Sequence, residues 1–83
     1  MTNDVIEKYV APRHAGEKEI KIHFKQRSTI TGLFIKGHDY DEMRSKNFWR
    51  IVTHANIENW RKTKDFNLAK IFNGTEFTRL SED

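Results

Sequence analysis

The sequence predicts a mainly β domain, an N-terminal helix followed by a small, strongly bent five-stranded barrel. Three observations carry this prediction. Residues 19–25 alternate apolar and polar, with Ile20, Ile22 and Phe24 on one side and Lys21, His23 and Lys25 on the other. That period of two marks a half-buried strand. A second arm, 29–35, is rich in β-branched and aromatic residues that suit a pleated surface. Gly32 interrupts this arm, where a strand can bend or let another backbone approach closely. Further on, short apolar runs are separated by turn formers with no second helical pattern, which fits a barrel of short strands.

The elements follow in order. Thr2 or Asn3 can cap a helix over 3–11, with Asp4 and Glu7 near its positive end and Val5, Ile6, Tyr9 and Val10 on one face. Pro12 stops it, and Arg13, His14, Ala15 and Gly16 form a connector. The barrel occupies 19–80 of a single domain, 1–83. Residues 25–28 form the polar corner of its first hairpin, and Gly37, His38 and Asp39 form the turn that closes the second arm. Residues 48–53 read as a third strand, which 55–60 either continue or return from. A charged loop at 61–67 leads to a fourth strand over 68–72. Asn73-Gly74 is a two-residue hairpin turn signal, and 77–80 make the fifth strand. The competing architecture is an α+β domain in which 42–50 are helical.

Eighty-three residues bury a thin core, and with no cysteine neither a disulfide framework nor a thiolate metal site can reinforce it. Self-association is the remaining common support for so small a core. The four histidines show no ligand spacing, so no metal or cofactor is expected. No nucleophile stands beside a base and no glycine-rich phosphate loop is present, so the expectation is not an enzyme. No apolar run is long enough for a membrane span and no signal core follows Met1, so the expected location is the cytoplasm. Between Met43 and Phe72, seven basic residues face two acidic ones, a bias compatible with phosphate contact. The plainer account is a solvated surface with edge-protecting charges.

This order of features resembles the Sm, Sm-like and Hfq family of SH3-like barrels. Gly32 followed by Gly37-His38-Asp39-Tyr40-Asp41-Glu42-Met43 is similar to its first motif, and residues 71–80 are similar in spacing to its second. Arg44 and Asn73 stand where the family carries asparagine and arginine. The resemblance implies a ring in which strand four of one copy pairs with strand five of the next. It also implies that the rings bind single-stranded RNA between those two motifs.

On that basis His38, Asp39, Tyr40, Met43, Asn73 and Gly74 are candidate RNA-contacting residues. Tyr40 or His38 would stack a base and Asp39 would orient the turn or accept from a base edge. The plainer reading has Asp39 closing an Asx-type turn, Tyr40 plugging the barrel rim and Asn73-Gly74 making a hairpin turn with positive φ. Trp60, Arg61, Lys62 and Lys64 are candidates as an aromatic and basic stacking platform. Core packing accounts for Phe48 and Phe72, whereas Trp60 is expected at a surface or interface. The function from another class is an SH3-like module that binds a protein partner through a groove or an edge strand.

Overall fold

The computed structural model describes residues 1–11 and 18–82. The residues read as helix stop and connector (Pro12, Arg13, His14, Ala15, Gly16) lie outside the described residues, as does Asp83 at the end of the tail. Helix α1 spans Asn3–Val10, capped by the Thr2 hydroxyl, which accepts from the Val5 N–H. Ile6 and Val10, four positions apart, are buried under it, whereas Val5 is exposed, so the apolar face is narrower than the sequence suggested.

Strands β1 (Ile20–Phe24), β2 (Ile30–Phe34), β3 (Phe48–Thr53), β4 (Lys70–Asn73) and β5 (Phe77–Ser81) form one antiparallel sheet in the order β4-β3-β2-β1-β5. This sheet is open, with β4 and β5 as its two edges, rather than closed into a barrel by strand pairing. The physical reason lies in the connection after β4. The Asn73 carboxamide oxygen accepts from the Thr75 N–H at 3.0 Å and caps a 3₁₀ turn over Gly74–Glu76. That turn sends β5 across to pair with β1 instead of folding back on β4, so Asn73-Gly74 is not a two-residue hairpin turn. A backbone bond from Lys25 N–H to the Glu76 carbonyl, 3.0 Å, ties the turn to the end of β1.

Two further helices depart from the sequence reading. Helix α2, Tyr40–Ser45, occupies part of the stretch that the α+β alternative made helical, while β3 begins at Phe48. Helix α3, Ile57–Thr63, replaces the predicted strand continuation and the start of the charged loop. Seven residues make a marginal helix alone, so packing must hold it. Ile57 and Trp60, three apart, are both buried, and Glu58 pairs with Lys62 at 3.6 Å on the opposite face. The helix ends at Lys64, whose φ of 55° is left-handed and whose N–H reaches the Trp60 carbonyl at 2.8 Å.

Each face of the sheet has its own core. On the inner face, under α1, lie Ile6, Val10, Ile22, Phe34, Trp49, Ile51 and Phe77. On the outer face Leu33, Ile35 and Val52 pack against Ile57 and Trp60 of α3. Gly32 serves the close approach anticipated for it. A Cβ there would stand 2.6 Å from a methyl of Ile51 and 2.9 Å from the Val52 carbonyl oxygen.

Candidate functional site

The sheet brings the two motif regions together, but several of their side chains hold the fold. Gly74 N–H donates to the Asn47 carbonyl at 2.8 Å, which joins the turn after β4 to the residues after α2. Asn47 takes a left-handed φ of 62° and lies at the centre of this junction. Its amide donates to the Met1 carbonyl at 3.0 Å and its oxygen accepts from the Trp49 indole at 2.8 Å. Gly74 has no positive φ. It is required for space, since a Cβ would stand 2.2 Å from the Asn47 side-chain oxygen and 2.6 Å from Ile6.

Tyr40 is turned inward. Its ring meets Trp49 edge-on at 6.1 Å, its hydroxyl donates to Glu7, and Lys36 stands 4.8 Å from the ring centre. Burial, followed by the Glu7 carboxylate, raises its pKa above the ordinary phenol value. Tyr40 therefore links α2 to α1, with Arg44 3.9 Å from the same carboxylate. Asp39 pairs with Arg50, and the hydrogen bond from that guanidinium holds its carboxyl below the ordinary value of 3.8. His38 is exposed on the turn.

The proposed platform around Trp60 does not form. Trp60 is only 5 % exposed and belongs to the outer core, opposite to the surface position expected for it. Arg61 approaches Glu19 at 4.0 Å, Lys62 pairs with Glu58, and the Lys64 ammonium lies 5.4 Å from the Trp60 ring centre. Phe48, assigned to the core from sequence, is instead 38 % exposed. The exchange has one cause: α3 folds over the Val52 end of β3 and leaves its Phe48 end uncovered.

Two concavities flank the free edge of β4. One is a groove of about 350 Å³ on the outer face, lined by Asp39, Met43, Lys46, Phe48, Arg50 and Ile71. Ile71 lies directly opposite Arg50 in the β3–β4 pair and is 58 % exposed. The other is a cleft of about 380 Å³ lined by Phe24, Gln26, Arg27, Phe72, Asn73 and Glu76. Here the Arg27 guanidinium lies 5.1 Å from the Phe24 ring centre and 5.6 Å from that of Phe72. Of the predicted residues, Asp39 and Met43 reach the groove and Asn73 reaches the cleft. Phe24, Gln26, Arg27 and Glu76 were not anticipated, and the one local signal was a polar corner between two strands rich in apolar residues.

Among the described residues no group of three or more acidic, histidine or cysteine side chains could hold a metal ion. No helix among them is long and apolar enough to cross a membrane. No protein-family model matches the chain, and searches of curated proteins and of solved structures find no match.

Proposed function

We propose that this chain is an Sm-like module that assembles edge to edge and binds single-stranded RNA. One juxtaposition carries the reading: β4, the open edge that would receive β5 of another copy, also walls the cleft in which Arg27 lies over two aromatic rings. An unpaired edge with an exposed isoleucine invites a second strand. A guanidinium over aromatic rings offers a base both a flat surface and a charge for the adjoining phosphate. The affinity would come less from α3, where Arg61 and Lys62 already face carboxylates. Light scattering after gel filtration, with and without a short uridine-rich or adenine-rich RNA, tests the proposal. A discrete multi-subunit mass that rises with RNA is expected, and a monomer whose mass ignores RNA refutes it.

A second reading, a protein-interaction module, is favoured by the outer groove, where Phe48 and Ile71 are exposed beside Met43. Salt separates the two. Phosphate-dominated binding falls by several powers of ten between about 50 and 200 mM salt when about six or more phosphates are contacted. Docking of an apolar peptide changes little over that range.

A further inference from the structure

We infer that the cleft between the β1–β2 corner and β4 is a nucleobase subsite selective for guanine. The inference rests on the RNA-binding reading and adds to it the base that is recognised. Its flat surface is the guanidinium of Arg27, which lies over Phe24 and Phe72, whose own ring centres are 5.9 Å apart. Arg27 is exposed, so its outer surface is open to a planar heterocycle. Stacking on a guanidinium is sequence-tolerant and selects no base by itself.

Selection comes from the polar lining. Glu76 is exposed and its carboxylate makes no ion pair among the described residues. An ionised carboxylate is acceptor-only, and its two oxygens match two neighbouring donors. Guanine alone among the four bases presents such a pair, the ring N1–H beside the exocyclic amino group. Adenine and cytosine set an amino group beside a ring acceptor, and uracil sets one N–H between two carbonyls, so each would bring an acceptor against Glu76.

The remaining guanine acceptors, O6 and N7, call for donors. The Asn73 oxygen is engaged by the Thr75 N–H at 3.0 Å and the Thr75 hydroxyl at 2.9 Å, which leaves its NH₂ to donate. Gln26 brings a second amide to the same cleft. The bond from Lys25 N–H to the Glu76 carbonyl fixes the spacing between the two walls. A bare phosphate or peptide carboxylate fits less well, because Glu76 would repel it.

Fluorescence anisotropy with uridine oligomers carrying one central guanine, adenine or cytosine tests the inference. The guanine oligomer should bind about tenfold tighter than the others. Glu76→Gln should erase that preference without lowering affinity for the other oligomers, because removing a negative charge favours phosphate. Arg27→Ala should weaken binding to all of them. Both side chains are exposed, and the circular dichroism spectrum and melting temperature of each variant check that the fold is kept. Equal affinity for guanine and adenine oligomers, or a preference that survives Glu76→Gln, overturns the guanine assignment and leaves RNA binding standing. If no oligomer binds, RNA binding fails, and guanosine, which carries no phosphate, decides the subsite alone. Amide shifts confined to Arg27, Asn73 and Glu76 would uphold it, and their absence would refute it.

Discussion

The two ends of β3 present the same kind of residue to the same face of the sheet and meet different fates. Val52 lies beneath Ile57 and Trp60 of α3 and is fully buried. Phe48, on the same face by strand alternation, is 38 % exposed, and beside it Ile71 of β4 is 58 % exposed. The covered end behaves as a second core, while the open end keeps apolar area in contact with water beside an unpaired strand. Burial on the outer face of this sheet is thus decided by where one short helix lands, and the uncovered end keeps Phe48 and Ile71 in contact with water.

Trp60 anchors the covered end. Trp60→Ala should cost about 3–5 kcal/mol in urea unfolding, whereas Phe48→Ala, at 38 % exposure, should cost about 1 kcal/mol. Equal losses would mean that α3 does not act as a cover. Gly32→Ala tests the density beneath the sheet. Its new Cβ would press on Ile51 and on the Val52 backbone, and a loss of about 1–3 kcal/mol in thermal or chemical melts is expected.

Ile71→Lys sharpens the contrast from the open side. Stability should move by about 0.5 kcal/mol or less, since the side chain is mostly in water, while a lysine on the edge opposes strand pairing. On the proposed edge-to-edge assembly, the expected readout is a fall of the solution mass to that of a monomer, and an unchanged assembly would show that β4 is not the joining edge.

The smallest effect is the acid response of Asp39. Its folded pKa is lowered by Arg50, so the pair stabilises the protein above the ordinary value of 3.8 and loses that contribution as pH falls through the lower folded value. Asp39→Asn should therefore be less stable near neutrality and show a shallower decline on acidification. A decline as steep as in the parent protein would remove the pair from the pH response.

Much of the sheet is legible in the sequence. The alternation of Ile20, Ile22 and Phe24 coincides with β1, residues 48–53 with β3, and Gly32 with a close backbone approach. What was illegible depends on distant partners. Helix α3 turns only two apolar residues inward, and Asn56 before it and Asn59 between them read as turn formers. Trp60 and Phe48 exchange their expected places because coverage by α3 is not a local property of either. Asn73-Gly74 is ambiguous for a different reason: an asparagine that favours a two-residue turn is equally a good cap for a 3₁₀ turn. The site divides in the same way. Asp39, Met43 and Asn73 could be named from a turn and a motif spacing. The polar corner that holds Arg27 marks a turn but not that its guanidinium will fold over one ring from β1 and another from β4.

The strand order also governs how the chain can be made. β5 docks on β1, and His23 meets Ser81 at a distance of 58 positions along the chain. Such a pairing places the slow, long-range closure at the end of folding. Until β5 docks, β1 has an open edge and Ile20 and Ile22 lack part of their cover. A folding chain that has not yet placed β5 is therefore the species open to mispairing with its neighbours.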